Sequence, residues 1–473
     1  MRIALLTLLV AALLAGAVSA QYHDSKYLFG GYGSTSSLYA QGPWMADAGN
    51  LTFTQLAPAA PNWYYQYGMT MDVDNKKVIN IARGTTSTSY QLRNGIYRTD
   101  PAAKTITTVY YDAGANIFYS STGPVHVNQD GDYVFAAYSR STSSSVTSYH
   151  YRMYKVPSLG GSISTLYTST KFFNQSTTCY QGGQADINTG DYVIQLYNST
   201  AGIRYGILNL SLDGSTLTTW STGGTYGLYQ SYYDGLCQDW DTGNWLSVYS
   251  GLLYELTPGT MNRTTLYNLG YPGGIQLYYA GKFDNRSAPN KRIVIGGYKQ
   301  NFNPTYYAPT ICAIDVSGPP YTVTAVECDP KQATARQYNY PYAFHFYRGR
   351  HIQTLMTAPK QWQLLISCPN YANKAYVAAI SISGYKPPIT LPDGRKIYLR
   401  PDSLTLLSIN NALLPFFNAG PGKLDANGEA KGSLNFNLLP SLGIPMWISV
   451  VVLDAAAPGG IAYIPDTYVF KLP

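Results

Sequence analysis

One hairpin recurs through most of the chain and constrains its fold more than any other feature. Each copy is a polar Asn/Asp-x-Gly corner followed by an apolar strand, seen at Asn128–Val134, Asp186–Val193 and Asp239–Leu246, and more loosely at Asp72–Val78. Glycine readily adopts the positive φ of such a corner, and Asn or Asp bonds to its own backbone. Successive copies lie roughly 53 to 58 residues apart, the length of a four-stranded propeller blade.

The composition supports an all-β fold with very little helix. Of 473 residues, 44 are Gly, 46 Tyr and 28 Pro, while charged residues make up 12%. This balance suits short strands joined by tight turns and disfavours helices rich in Glu and Lys. The net charge of +7 is spread along the chain without a basic run. We therefore expect no nucleic-acid partner, although acidic polysaccharides or cell envelopes suit a mildly basic protein.

Residues 1–20 have the pattern of a signal peptide. Arg2 gives a positive start, Ile3–Ala15 an apolar segment, and Val18–Ala20 a small-residue cleavage site before Gln21. No later segment reaches the length of a transmembrane helix. The sequence thus predicts a secreted or cell-surface protein without a transmembrane segment.

The repeats predict a six-bladed β-propeller over residues 21–357, or a seven-bladed one if two short blades have been merged. A partial repeat at 26–62 lacks its own corner, and another at 338–357 stops before its outer strands. Together they would complete one shared blade and leave no open sheet edge. An extended array or β-helix is the rival architecture. The five full repeats lie at 63–116, 117–175, 176–229, 230–272 and 273–335.

The pattern changes after Pro359, and strand-length runs separated by turns predict a β-sandwich over residues 358–473. The segments Tyr371–Tyr376, Leu391–Arg395, Leu424–Ala430 and Ser449–Asp454 resemble a C-terminal sandwich module found in many exported multi-domain bacterial proteins. The resemblance covers about a quarter of the chain. It implies export and a bacterial origin, and it carries no catalytic residues over to this sequence.

Tyrosines recur just upstream of the corners, where the inner strand of each blade should line a central channel. We predict that they form a rim at the channel mouth, because a phenol ring offers a flat apolar face and a hydroxyl to a sugar or a protein. Tyrosine also packs readily between strands, so a purely structural role is the alternative. The predicted ligand-binding residues are Tyr64, Tyr65, Tyr119, Tyr180, Tyr232, Tyr233, Asp234, Tyr278, Tyr279, Tyr340 and Tyr342.

Five cysteines in an exported chain suggest disulfides. Cys312 and Cys328 flank two β-runs and could join the outer hairpin of one blade. Cys179 and Cys237 occupy similar positions in neighbouring repeats and could join adjacent inner strands. Cys368 is then left over, as a buried apolar residue or as a thiol for another chain.

No metal or cofactor pattern stands out in the sequence. The acidic corners lack the twelfth-position carboxylate of an EF-hand and are interpreted as tight turns. His126, His345 and His351 fall on or beside inner strands, but no His-x-His or zinc-binding spacing is present, so satisfied core or channel residues are favoured over ligands. We predict no cofactor and no metal.

Three functions are compatible with these features. The first is a secreted, non-enzymatic binding or structural protein whose tyrosine rim recognises a glycan or a cell-surface protein. The second is a carbohydrate-active hydrolase or lyase at the channel mouth, with Tyr233 as acid and His345, His351 or Arg348 as base or charge neutraliser, although no motif selects these residues. The third is a self-assembling surface protein that uses its tyrosines or Cys368 to form oligomers.

Overall fold

The computed structural model describes most of the chain beyond residue 25, and for some strands it describes the backbone alone. The described ranges are 26–32, 42–47, 52–58, 63–72, 74, 76–86, 89–112, 120–121, 125–143, 146–168, 178–197, 206–222, 236–249, 252–260, 263–268, 275–284, 292–302, 305–315, 323–327, 340–346 and 351–472. Strands dominate this part of the chain, which confirms the all-β prediction. Within it, no helix is long and apolar enough to cross a membrane.

In the described part of the repeat region there are five antiparallel sheets, and within each sheet most strands that follow one another in the sequence are paired. Sheet 1 contains Lys26–Tyr32 (β1), Trp44–Asp47 (β2), Thr52–Gln55 (β3), Trp63–Asp72 (β4), Lys77–Thr86 (β5), Ser89–Asp100 (β6), Thr105–Tyr111 (β7) and Tyr340–Phe346 (β25). Sheet 2 contains Ser120–Ser121 (β8), His126–Val127 (β9), Tyr133–Ser143 (β10), Val146–Val156 (β11) and Ser164–Thr168 (β12).

The next three sheets each have four strands in sequence order, as expected for propeller blades. Sheet 3 contains Thr178–Ala185 (β13), Tyr192–Tyr197 (β14), Gly206–Leu210 (β15) and Leu217–Thr222 (β16). Sheet 4 contains Leu236–Gln238 (β17), Trp245–Tyr249 (β18), Leu252–Leu256 (β19) and Arg263–Asn268 (β20). Sheet 5 contains Ile275–Asp284 (β21), Arg292–Phe302 (β22), Thr305–Asp315 (β23) and Val323–Glu327 (β24).

The two ends of the repeat region pair with each other, as the incomplete terminal repeats predicted. Strand β25 pairs antiparallel with β1 from Tyr27↔Phe346 to Tyr32↔Tyr340. The order β25-β1-β2-β3 is therefore itself a four-stranded unit. It meets β4 through one register pair, Tyr32↔Tyr65, so sheet 1 comprises two four-stranded units joined at one point.

The repeat sheets pack face to face through apolar side chains that alternate along their strands. Ile79 and Ile81 of β5 pack in one cluster with Phe135 of β10, and on the other face of sheet 2 Val134 packs with Tyr192 of β14. All five side chains are fully buried. Period-two alternation thus gives sheet 2 two apolar faces, one for each neighbouring sheet.

Two further sheets form a C-terminal unit around one core. Sheet 6 contains Ile352–Ala358 (β26), Gln361–Ser367 (β27), Glu429–Asn435 (β33) and Phe417–Asn418 (β31); sheet 7 contains Ala375–Ser381 (β28), Gly422–Lys423 (β32), Pro445–Leu453 (β34), Ile461–Tyr463 (β35) and Tyr468–Lys471 (β36). A small ribbon pairs Ile389–Thr390 (β29) with Lys396–Ile397 (β30). Helix α1 spans Ser403–Ile409, and 3₁₀ turns span Pro369–Tyr371 and Pro458–Gly460.

The core of the C-terminal unit draws on both of its sheets. Trp362 and Leu364 from sheet 6 pack with Ile448, Val450 and Phe470 from sheet 7. The expected boundary after residue 357 falls inside β26, which pairs with β27 and not with a repeat strand. Its apolar residue Ile352 belongs to this core, which explains why the strand joins the C-terminal unit.

The described cysteines differ from the predicted disulfide pattern. Cys237 lies buried on β17 as a thiol whose sulfur is 3.7 Å from the carbonyl oxygen of Leu246, so the predicted bond to Cys179 is not formed. Both cysteines do lie on the first strands of successive sheets, as predicted. Cys368 is a buried thiol in the core of the C-terminal unit, where burial raises its pKa to about 12. The predicted pair of Cys312 and Cys328 lies outside the described side chains.

Candidate functional site

Three of the recurring corners, at Asn128, Asp186 and Asp239, are Asx turns, as their sequence predicted. The Asp186 carboxylate accepts a hydrogen bond from the N–H of Asn188 at 3.1 Å, and the N–H of Gly190, at φ +77°, donates to the Asp186 carbonyl. Asn128 and Asp239 begin equivalent turns, each with a positive-φ glycine. We call this end of the repeat sheets, where the first strand turns into the second, the corner end.

Sheet 6 docks on the corner end through a polar strand edge. The hydroxyl of Thr354 donates to the carbonyl oxygen of Gln129 at 2.6 Å. The backbone N–H of Met356 donates to the carbonyl oxygen of Asp130 at 3.2 Å. The indole N–H of Trp362 donates to the Asp130 carboxylate at 3.0 Å. One corner residue therefore accepts from both the backbone and a side chain of the C-terminal unit.

Sheet 7 and its neighbouring loop dock on the next corner. The indole N–H of Trp447 donates to the carbonyl oxygen of Ile187 at 2.8 Å, and the hydroxyl of Tyr385 donates to Asn188 Oδ1 at 2.8 Å. Ile187, Tyr385 and Trp447 also share one buried apolar cluster. Buried hydrogen bonds inside an apolar contact fix the relative placement of the two units.

Among the described residues, three ion pairs cross the same interface. They join Lys471 to Asp191 at 2.7 Å, Lys396 to Asp241 at 2.8 Å, and Lys76 to Glu429 at 2.8 Å. The Asp241 carboxylate also accepts from the hydroxyl of Tyr398 at 3.0 Å. Burial, together with the Asp241 charge, raises the pKa of Tyr398, so its hydroxyl remains a hydrogen-bond donor at neutral pH.

A buried acidic group lies beneath the first corner. Asp72 accepts from the hydroxyl of Tyr133 at 2.6 Å, and the guanidinium of Arg98 donates to that hydroxyl at 3.1 Å. Gln353 of the C-terminal unit donates to the other Asp72 oxygen at 3.4 Å. Burial and the neighbouring Asp72 charge raise the pKa of Tyr133. The network joins β4, β10 and the C-terminal unit, and its polar groups form hydrogen bonds with one another.

A cavity of about 120 Å³ lies where the corners meet the C-terminal unit. Its wall includes His126, Gly190, Trp240, His351 and Asp466. This volume holds a few waters and is small for a sugar. Among the described residues, no group of three or more His, Cys, Asp or Glu side chains is arranged to hold a metal.

His351 has a structural role in this wall. Its Nδ1 lies 2.6 Å from the carbonyl oxygen of Ser367, so Nδ1 carries a proton and donates it. Its Nε2 lies 2.7 Å from the hydroxyl of Tyr463, whose ring also packs edge-on against the imidazole. His351 is therefore the satisfied core residue favoured by the sequence, and its 4% exposure disfavours the alternative role as a catalytic base. The side chain of His345 and all of Arg348 lie outside the described residues.

Those predicted tyrosines that lie in the described strands fall at the opposite end of the repeat sheets, which we call the tyrosine end. Tyr64 and Tyr65 lie in the first half of β4, Tyr180 in that of β13, Tyr278 and Tyr279 in that of β21, and Tyr340 and Tyr342 in that of β25. From these tyrosines, β4, β13 and β21 each run toward the corner that follows them. Strand β25 runs in the same direction, toward the corner end. Tyr119, Tyr232, Tyr233 and Asp234 lie outside the described residues.

A β-bulge recurs at these tyrosines. In β4, Trp63 pairs with Gly84 and Tyr65 with Arg83, which leaves Tyr64 as an extra, unpaired residue. In β13, Cys179 pairs with Leu196 and Gln181 with Gln195, which leaves Tyr180 as the extra residue. Tyr342 is skipped in the pairing of β25 with β1. Between Leu277↔Gly297 and Gly281↔Ile295, β21 carries two extra residues, in the segment that holds Tyr278 and Tyr279. The ladder is therefore interrupted at the same point of four first strands.

Sequence reasoning missed two tyrosines at this end. Tyr67 is the extra residue of a second bulge in β4, and Tyr32 pairs on one side with Tyr340 and on the other with Tyr65. Glycine inside a strand pattern was an available signal, since it often marks a bulge. Gly68 directly follows Tyr67 in the sequence.

Comparisons with known proteins give distant structural similarities. No protein-family model matches the chain, and no curated protein matches it. TolB from Acinetobacter baumannii superposes with a TM-score of 0.42 and 11% identity, covering 68% of this chain and 66% of TolB.

Two carbohydrate-active enzymes give similar values. The α-L-arabinofuranosidase Arb93A from Fusarium graminearum has a TM-score of 0.40 and 9% identity, over 73% of this chain and 93% of its own. The α-L-arabinanase from Penicillium chrysogenum has a TM-score of 0.38 and 10% identity, over 73% of this chain and 94% of its own. None of these similarities transfers an activity to this chain.

Proposed function

We propose that this protein is an exported, non-enzymatic binding protein that recognises a glycan at its tyrosine end. The observation that carries the proposal is the bulge that recurs at tyrosines in four first strands. Bulges interrupt pairing and redirect side chains, and they are over-represented at sheet edges and next to active sites. Tyrosine suits such a site because its ring stacks on a sugar face while its hydroxyl bonds to sugar oxygens.

The proposed architecture is a six-bladed propeller followed by a C-terminal sandwich, after a signal peptide at residues 1–20. Six four-stranded units, with β25-β1-β2-β3 as the unit shared between the chain ends, support the blade number. First strands of neighbouring units are in contact, including β4 with β25 and β17 with β21, as expected around a central axis. Two sheets around one core support the sandwich.

The location of the C-terminal unit supports the choice of face. Its hydrogen bonds and ion pairs cover the corner end, where the acidic side chains are already used as acceptors. In β4, Tyr65 and Asp72 are seven residues apart, which corresponds to about 23 Å of strand. The tyrosine end is therefore well separated from the docked unit and is the end we assign to ligand.

A glycan-array screen of the mature chain tests this proposal. The test variant replaces Tyr64, Tyr180, Tyr278 and Tyr342 by alanine, and the control replaces Tyr111 and Tyr267, which lie on outer fourth strands. We expect the wild type and the control to bind the same glycans and the test variant to lose at least about tenfold in affinity, since each aromatic contact contributes about 0.5–1.5 kcal/mol and four are removed.

Two results would contradict the proposal. One is the absence of glycan binding by a correctly folded wild type, with folding verified by circular dichroism and a cooperative melt. The other is equal binding by the test variant and the wild type. Turnover of the bound glycan, abolished by the tyrosine substitutions, would keep the site but replace binding by catalysis.

A further inference from the structure

Acidic residues are unevenly distributed between the two ends of the repeat sheets. At the corner end they include Asp72, Asp132, Asp191, Asp284 and Asp315, each beside a first-to-second or third-to-fourth strand turn. In the described part of the repeat region, two acidic residues lie at the tyrosine end, Asp112 and Glu327. Asp112 is 1% exposed. Acidic groups thus gather where the C-terminal unit docks.

Cationic residues lie at the tyrosine end of several strands. Arg83 on β5 is the cross-strand partner of Tyr65 on β4. Arg93 on β6 pairs with Gly84 on β5, and Gly84 in turn pairs with Trp63 at the start of β4. In sheet 2, Arg140 pairs with Tyr149 close to the hairpin that joins β10 to β11. In sheet 5, Lys299 pairs with Ile275 at the start of the first strand. Strand register therefore brings arginine and lysine to the same end as the bulged tyrosines.

We infer that the tyrosine end recognises an acidic polysaccharide, one whose sugar units carry carboxylates. This inference rests on the proposed glycan-binding function and specifies the class of glycan. Arginine pairs with carboxylates through charge-assisted hydrogen bonds, while tyrosine rings contact the sugar faces. Among the described residues, carboxylates are fewer at this end than at the corner end, so an anionic chain would meet less repulsion here.

A polysaccharide fits this placement better than a nucleic acid. The cationic positions are spread over sheets 1, 2 and 5, and in sheet 1 they lie on two different strands, whereas nucleic-acid sites present a continuous basic stripe along the phosphates. Spaced charges match a polymer in which carboxylates alternate with hydroxyl-rich sugar surfaces. Single-stranded DNA is therefore the competing polyanion to include in the test.

The experiment compares polygalacturonate with the same polymer after reduction of its carboxylates to alcohols. Binding to the mature full-length chain is measured by titration calorimetry at low and at high salt. The test variant is Arg83→Gln with Arg140→Gln. The matched control, Lys104→Gln with Lys423→Gln, removes the same charge from exposed positions away from the tyrosine end. A third variant, Arg83→Lys with Arg140→Lys, keeps the charge.

We expect the wild type to bind the acidic polymer more tightly than the reduced one, and more weakly as salt rises. The Arg→Gln variant should lose about tenfold in affinity for the acidic polymer, the Arg→Lys variant less, and the control almost nothing. Equal binding of both polymers by the wild type would overturn this inference and leave glycan binding intact. Binding of neither polymer nor of any arrayed glycan would overturn the proposed function itself. Tighter binding to single-stranded DNA would overturn the polysaccharide assignment.

Discussion

The indole N–H of Trp447 donates to the carbonyl oxygen of Ile187 at 2.8 Å, across 260 residues of sequence. Trp447 belongs to sheet 7 and Ile187 to a corner of the repeat region, and both are buried. This bond lies in the apolar cluster that joins the two units. Separating them would therefore expose both apolar surface and unpaired polar groups, which makes a single cooperative structure the expected state.

Replacing Trp447 by phenylalanine should lower the free energy of unfolding by about 1–3 kcal/mol, because the Ile187 carbonyl would be buried without its donor. Denaturant unfolding followed by circular dichroism measures the change. Tyr376→Phe is the control, since it removes a polar group from sheet 7 within the core of the C-terminal unit. Equal midpoints for Trp447→Phe and the wild type would show that this bond does not stabilise the interface.

Two interfacial ion pairs should differ in strength. Lys396 and Asp241 are 30% and 13% exposed, whereas Lys76 and Glu429 are 57% and 25% exposed. Double-mutant cycles with Lys→Gln, Asp→Asn and Glu→Gln should give a coupling of about 1 kcal/mol for the first pair and less than about 0.5 kcal/mol for the second. Both couplings should fall with added salt. A larger coupling for Lys76 and Glu429 would contradict this reading of the interface.

Gly214 and Gly259 form a natural matched pair, because they occupy the turn between third and fourth strands in successive sheets. Both have a positive φ, +76° and +79°. A Cβ at Gly214 would lie 2.1 Å from the carbonyl oxygen of Leu166 in the preceding sheet, while a Cβ at Gly259 would meet nothing within 4 Å.

Gly259→Ala should therefore lower the free energy of unfolding by about 1 kcal/mol, because alanine is strained at a positive φ. Gly214→Ala should lower it by about 1–3 kcal/mol more, because the backbone of Leu166 must also be displaced. Thermal and denaturant unfolding of the two variants measure the difference directly. Equal destabilisation would show that the sheets do not pack as closely as this contact requires.

Asp402 should make stability depend on acid pH. Burial alone would raise its pKa, but hydrogen bonds from the Thr405 N–H, the Ser381 hydroxyl and the Ile382 N–H outweigh it and hold the pKa at about 2. Because the folded pKa lies below the unfolded value near 3.8, this stabilisation is present above about pH 4 and is lost as the pH falls toward 2.

Asp402→Ala should cost about 2 kcal/mol at neutral pH, through loss of the N-cap of α1 and of the bonds to the adjoining loop. The difference from wild type should narrow between about pH 4 and pH 2. Asp402→Ser keeps a neutral N-cap and should retain part of the stability without the acid dependence. A destabilisation that stays constant down to pH 2 would contradict this assignment.

The sequence by itself determined the local elements. The corners follow from Asn or Asp and glycine at fixed offsets, as at Asp186 and Gly190, because those residues favour the turn wherever it lies. Alternation of apolar residues set the strands, and the incomplete repeats at the two ends predicted the pairing of β1 with β25.

The tertiary structure decided what these elements do for one another. That the corners receive the C-terminal unit depends on contacts such as Trp447 with Ile187, which the sequence separates by 260 residues. That Ile352 joins the C-terminal core, and that Cys237 is a thiol, likewise depend on which surfaces meet. The bulges at Tyr64, Tyr180 and Tyr342 reflect the register of two strands, and register is fixed by packing on both faces of a sheet and not by the propensity of either strand alone.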